Sequence, residues 1–281
     1  MFRCLGRTVS HDPRRRSDGE HQFAVPTAQD DRPPGRFFVM TPVVHIAPRH
    51  DAVPTAVGPI DVASIHLPGT PRGAVLVLTA DTNFEHEAAT LLNAFAAAGF
   101  EGHAADVTEV RGTPDKLVPV LRTLIDLVGE HGWTREQMGI VGYANGGGLA
   151  LLASAWFELG AAVSFSLRPW STGCSDLARH IAELAPRIRT SWLYLTGDHD
   201  PLLPRSEGRR LEGALLRETS VYTQIVTYPG VGADFYRTSP EVPAIAAAFD
   251  AWQRTVEWLE LHVVPRLTPA AEAWRRRQAI A

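Results

Sequence analysis

From Val43 onward, short apolar runs of strand length alternate with longer stretches in which apolar residues recur at helical spacing. IDVASIHL (60–67) and GAVLVLTA (73–80) read as strands, the second too uniformly apolar to leave one face in water. FEHEAATLLNAFAAA (84–98) reads as a helix stopped by Gly99, a natural C-cap. EGHAADV (101–107) is a weaker strand, and Thr113, Pro114 and Asp115 open a helix over 114–130. The alternation continues with MGIVGY (138–143), a helix over 146–158, AAVSFSL (161–167) and a helix near 175–185. SWLYLTG (191–197), a helix over 205–217, VYTQIVTY (221–228) and a long helix over about 241–263 complete it. Repeated alternation of this kind calls for an α/β fold with a mainly parallel central sheet and helices on both faces.

The first 39 residues break the pattern. They are rich in Arg, Asp, Pro and Gly, with no sustained period, no signal-peptide core and no apolar span of membrane length. Residues 1–40 are therefore expected to be a disordered extension and 41–281 a single domain. Met40 immediately precedes the first ordered-looking segment, which raises start-site choice as another origin for the extension.

Composition narrows the function classes. Of 281 residues, 45% are hydrophobic and 21% charged, ordinary for a soluble globular chain. A net charge of -4 supplies no basic field, so nucleic acid is not an expected partner, and neither is a membrane. Cys4 and Cys174 lie far apart without metal-ligand spacing, which argues against a disulfide framework or a zinc site and fits a reducing cytoplasm. No metal and no cofactor is expected. Only Lys116 among the 27 basic residues is a lysine, a skew that carries little functional weight.

In sheets of this class, ligands bind outside the carboxyl ends of the strands. The residues after each strand are Asp81-Thr82-Asn83, then Ala144-Asn145 with three glycines, then Arg168-Pro169-Trp170. Asp198-His199-Asp200-Pro201 and the run from Pro229 to Tyr236 follow the later strands. Polar groups thus concentrate on one rim.

GYANGGG at 142–148 has the layout of a nucleophile elbow, the sharp strand-to-helix turn that lifts a catalytic Ser or Cys above a sheet. Taken with GDHDPLLP (197–204), YPGVGADF (228–235) and the downstream AIAAAFDAWQRTVEWLELHV, it resembles the dienelactone hydrolase family of α/β-hydrolases over residues 60–264. The family's elbow reads GYCxGG or GYSxGG, and its histidine segment YPGAGHGF. The resemblance implies a three-layer α/β-hydrolase-like sandwich. Carried over residue by residue, it puts the acid on Asp200, the nucleophile position on Ala144 and the histidine position on Ala233. Asp81 lies at or one residue from a carboxylate position common in the family.

An alanine methyl neither attacks a carbonyl nor exchanges a proton, so acyl-enzyme hydrolysis through this elbow is expected to be absent. The oxyanion site does not depend on that side chain. The N–H of Asn145, an N–H near Asp81 or Thr82 and the following helix N-terminus would still converge on one spot. Around it stand Tyr143, Arg168, Trp170, His199, Asp234, Tyr236 and Arg237 as substrate-binding candidates, with Asp200 and Asp81 as catalytic ones.

Blander readings compete. Asp200 could cap its loop, Trp170 and Phe235 could be core or pocket wall, and Asp234, Tyr236 and Arg237 could line a solvated loop. Cys174, Ser164, Ser166, His66 and His103 read as structural, and Arg275 to Arg277 as a solvated helix end. The leading functional expectation is a repurposed lyase, isomerase or cyclase on a small carbonyl, lactone or polyketide-like compound, with Asp200, Asp81 or Tyr143 moving a proton. A non-catalytic ligand-binding pseudo-hydrolase, or residual hydrolysis by water activated by Asp200, are the alternatives. Any of these would act on a small molecule, as monomer or homodimer.

Overall fold

The computed structural model describes residues 45–80, 83–170, 177–237 and 239–278. All elements below belong to the unit Pro34–Ala281. The expectation of disorder over residues 1–40 lies outside the described residues, as do Asp81, Thr82 and Cys174.

Eight strands form one sheet: β1 Arg49–Thr55, β2 Gly58–Ile65, β3 Gly73–Thr79, β4 Phe100–Asp106, β5 Met138–Tyr143, β6 Ala161–Phe165, β7 Trp192–Gly197 and β8 Thr223–Tyr228. Their order across the sheet is β1-β2-β4-β3-β5-β6-β7-β8. The β1–β2 and β2–β4 pairs are antiparallel, and every other pair is parallel.

Among the described residues there are seven α-helices: α1 Phe84–Ala97, α2 Pro114–Glu130, α3 Asn145–Trp156, α4 Leu177–Leu184, α5 Arg205–Glu218, α6 Val242–His262 and α7 Pro269–Gln278. Strand alternation divides the core in two. On β3, Ala74, Leu76 and Leu78 join a cluster with α2, α3, α4 and α5. Val75 and Val77 face the other way, against α1 and α6. The result is a three-layer sandwich with a mainly parallel sheet, as the alternating pattern implies.

Differences from the sequence reading have local causes. β1 was not marked because it pairs only with β2 and is largely exposed, so no apolar face forms. The strand read as 60–67 begins at Gly58 and ends at Ile65. α7 buries no residue, so hydrophobic spacing could not signal it. β6 ends at Phe165 rather than 167 because Ser166 turns the chain with φ of 40°. α3 starts at Asn145, one residue early, because a single residue, Ala144, makes the whole strand-to-helix turn.

Candidate functional site at the carboxyl ends of the strands

Ala144 has φ 50° and ψ −109°, a conformation that costs an ordinary L-residue about 1–3 kcal/mol and persists only when its surroundings enforce it. Backbone hydrogen bonds on both sides of the residue do so. The Ala144 N–H donates to Phe165 O at 2.9 Å, while Ala144 O accepts from Gly147 N at 3.0 Å and Arg168 N at 2.9 Å. Close packing behind the turn requires glycine: a Cβ on Gly146 would stand 2.1 Å from Leu78 O, and one on Gly148 2.1 Å from Arg168 O. The N–H groups of Asn145 and Gly146, the first two of α3, have no intrahelical acceptor by position and supply the partial positive charge of a helix start.

The Asn145 side chain does not reach toward a ligand. It is 4% exposed, and its Nδ2 donates to Val107 O at 2.8 Å and Val110 O at 3.3 Å, tying the β4–α2 connection to the elbow.

Asp200 corrects one expectation. A proton-moving role needs a carboxylate open to the pocket, whereas the Asp200 side chain is fully buried. Arg168 Nη1 donates to Asp200 Oδ1 at 3.3 Å and Oδ2 at 3.4 Å, and Leu202 N donates to Oδ1 at 3.0 Å. A carboxylate so engaged is poorly placed to collect a substrate proton. Because Arg168 also ties its own backbone N–H to Ala144 O, the guanidinium and the elbow are mechanically linked. The Arg168 side chain is 30% exposed, so it keeps a face toward solvent.

Tyr143 and Tyr236 come together on the α1/α6 side of the sheet, ring centroids 5.3 Å apart, with Tyr143 stacked on Phe165 at 4.5 Å. Burial pushes both phenols far above their ordinary pKa, and the neighbouring Glu87 charge raises Tyr143 further. Neither reaches the phenolate near neutrality, so Tyr143 is not a base there. Tyr236 donates to Asp234 Oδ1 at 3.4 Å, and the Arg237 guanidinium lies 5.7 Å from the Tyr236 ring centre.

His199, Ala233 and Asp234 line one crevice of about 420 Å³ between the loops after β7 and β8. His199 is exposed and stands 3.7 Å from Asp198 Oδ1. Trp170 is 1% exposed and packs at a tilt on His180, ring centroids 4.4 Å apart, so it presents no face to a ligand in this structure. Phe235 is likewise buried.

Two residues escaped the sequence reading. Glu87 is a buried carboxylate beside Tyr143; helical spacing from Phe84 and Leu91 put it on the inward stripe, and that signal could have found it. Ser166, read as a packing position within a strand, combines left-handed backbone with a buried hydroxyl that has no hydrogen-bond partner. Nothing in SFSL distinguishes it from an alternating strand. On this rim the buried carboxylate is already matched by a guanidinium, and no cluster with metal-ligand spacing lies there among the described residues.

Among the described residues no helix is long and apolar enough to cross a membrane. A protein of Yersinia pestis assigned as a carboxymethylenebutenolidase is 27% identical over 177 residues, 58% of this chain and 65% of that protein's length. A Klebsiella pneumoniae subsp. pneumoniae MGH 78578 structure assigned as a dienelactone hydrolase superposes with a TM-score of 0.60 at 20% identity. That superposition covers 75% of this chain and 97% of the other. A dienelactone hydrolase-like promiscuous phosphotriesterase from metagenomic libraries gives a TM-score of 0.59 at 17% identity, over 77% of this chain and 99% of its own. At these identities the two structures bear on the fold alone. The model of the dienelactone hydrolase family matches residues 94–263, which take in the elbow, the Asp200 loop, the Ala233 loop and α6. The chain belongs to the dienelactone hydrolase family.

Proposed function

We propose that the protein holds a small carboxylate- or enolate-bearing compound at the elbow without forming an acyl-enzyme. The observation that carries this reading is the pairing of Arg168 with buried Asp200, 3.3 Å apart, while the Arg168 backbone is bonded to Ala144 O. In a working hydrolase of this fold an acid would orient a histidine, and the histidine would activate a nucleophile. Here the family resemblance puts alanine at both of those positions, and the acid instead orients a guanidinium. A guanidinium carried on a segment whose backbone is bonded to the elbow, together with the N-terminus of α3, would favour negative charge where an acyl oxyanion would otherwise form. Loss of a triad nucleophile costs on the order of a millionfold in turnover, so the covalent route does not survive.

A second reading, a lyase, isomerase or cyclase, draws on the backbone strain retained at Ala144 and Ser166, since such strain clusters at reacting sites. The same positive site would stabilise an enolate. Asp200 is engaged, so Asp81 becomes the carboxylate to test as proton carrier. Water activated by Asp200 has the least support, because both carboxylate oxygens already accept hydrogen bonds from Arg168.

The experiment is in three arms on the full chain. Mass spectrometry of any co-purifying small molecule is expected to return an organic acid or an enolisable carbonyl compound. Aryl esters and a dienelactone, assayed at high protein concentration, are expected to turn over at background, with no burst, and Ala144→Ser is expected to leave this unchanged. Arg168→Gln is expected to abolish binding of the recovered acid. Ester turnover above background that disappears in Asp200→Asn would refute the reading, and conversion of a recovered ligand that is lost in Asp81→Asn would establish the second one.

A further inference from the structure

A second constellation of ionisable side chains lies at the opposite end of the sheet, where β2 ends and β4 begins. Antiparallel register explains how it forms. Ser64 pairs with His103 and Ile65 with Gly102, so the next step along β2 brings His66 opposite Glu101. Glu101 and His103 are two residues apart on one strand and share a face. His131, just beyond the end of α2, lays its ring 4.5 Å from that of His66 and 5.1 Å from that of His103.

We infer that His66, Glu101 and His103 form a binding site for one zinc-class divalent cation, with His131 or water in the fourth position. His66 Nδ1 is 3.2 Å from Glu101 Oε1, and His103 Nε2 is 3.8 Å from it. The three ligand atoms all lie within 4.8 Å of one another. Zinc–ligand bonds of about 2.0–2.1 Å in a tetrahedral arrangement put ligand atoms roughly 3.3–3.4 Å apart, so side-chain shifts of an ångström or less close the site. Two imidazoles and a carboxylate are a donor set suited to a borderline cation such as zinc, and ill suited to calcium or magnesium, which take oxygen.

Three further features go beyond a chance meeting of polar groups. His103 is 0% exposed and its Nε2, on the side facing Glu101, has no hydrogen-bond partner. An orphaned buried ring nitrogen is costly and calls for an occupant. Its other nitrogen, Nδ1, is 2.9 Å from Ser64 Oγ, the outer hydrogen bond that fixes a ligating imidazole and leaves Nε2 free to bind. Glu101 is oriented in the same way, since Trp133 Nε1 donates to its Oε1 at 2.9 Å and Leu67 N to its Oε2 at 3.4 Å. Trp133 is in turn covered by the Arg266 guanidinium, 3.6 Å from the ring centre.

A cation here would join the end of β2, the start of β4 and the turn after α2. Its expected effect is to clamp those segments, away from the rim that carries Ala144 and Asp200. The cysteines gave no hint of it, because the ligands are imidazoles and a carboxylate scattered over residues 66 to 131.

The test uses the full chain, stripped with chelator and titrated calorimetrically with zinc chloride in a non-coordinating buffer. One saturable equivalent is expected, together with a rise in melting temperature. Cobalt chloride is expected to give the visible absorption of a four-coordinate site. His66→Ala, at a partly exposed position that leaves the core intact, should weaken zinc by about ten- to hundredfold, and Glu101→Gln should abolish both the calorimetric site and the thermal shift. Circular dichroism checks that both variants fold. Should Glu101→Gln fail to fold, His66→Ala together with the cobalt spectrum decides. Absence of a stoichiometric zinc site in the wild-type chain, or binding by His66→Ala equal to wild type, would overturn the assignment and leave Glu101 as a purely structural anchor.

Discussion

Arg168→Met is expected to lower the free energy of unfolding by about 3 kcal/mol, through the charge it leaves behind rather than the contact it deletes. The Asp200 side chain is fully buried, and with the guanidinium gone only Leu202 N would face its carboxylate among the partners described here. Removing one member of a buried pair typically costs about 3–5 kcal/mol; Arg168 is 30% exposed, so water reaches the pair and the lower end of that range applies. Asp200→Asn keeps an oxygen for Leu202 N and leaves the unpaired charge on Arg168, which is 30% exposed and reaches water, so about 1–2 kcal/mol is expected. The double variant should then be more stable than Arg168→Met alone, with a coupling energy above about 1 kcal/mol. Urea unfolding of the four proteins measures this. If Arg168→Met falls within about 0.5 kcal/mol of wild type, as a surface substitution would, Asp200 does not depend on the guanidinium and the anion-holding reading loses its support.

That pairing marks the limit of what the sequence discloses. GAVLVLTA and MGIVGY are apolar on both faces, so central parallel strands follow from hydrophobicity alone, and the glycines after Ala144 announce a close-packed turn. Arg168 and Asp200 could both be put on the rim from strand endings. Their contact could not, because it depends on the left-handed turn at Ser166, which ends β6 and directs the chain back to Ala144 O. A strand-like alternation in SFSL hides that turn. The cluster of His66, Glu101 and His103 was hidden for a different reason: it needs β2 beside β4, with β3 on the far side of β4, and sequence order does not fix neighbours in a sheet. Glu87, by contrast, was legible, since a carboxylate on the inward stripe of a helix breaks the apolar pattern that defines that stripe.

Gly146→Ala is expected to prevent folding, whereas Ala144→Gly, two residues away, is expected to stabilise by about 1 kcal/mol. The contrast separates space from strain. A Cβ on Gly146 would lie 2.1 Å from Leu78 O, 2.6 Å from Leu78 C and 2.9 Å from Leu78 Cβ. Leu78 belongs to β3 in the middle of the sheet, and α3 is buried from Asn145 to Ala155, so neither backbone can withdraw without opening the core. Overpacking against backbone at such a position exceeds the ordinary 1–3 kcal/mol cost of an inserted methyl, and about 5 kcal/mol would be comparable to the whole stability of many domains. At residue 144 space is not limiting. Its φ of 50° with ψ of −109° suits glycine better than alanine, and strain relief of about 1–3 kcal/mol outweighs the extra chain entropy glycine brings to the unfolded state, about 0.4–1 kcal/mol. Soluble yield and a cooperative urea transition test the first variant, and the transition midpoint at unchanged slope tests the second. A folded Gly146→Ala protein would mean that α3 can move off β3. A less stable Ala144→Gly protein would mean that the alanine methyl makes contacts worth more than the strain it imposes, and the turn would then be held by that side chain rather than enforced around it.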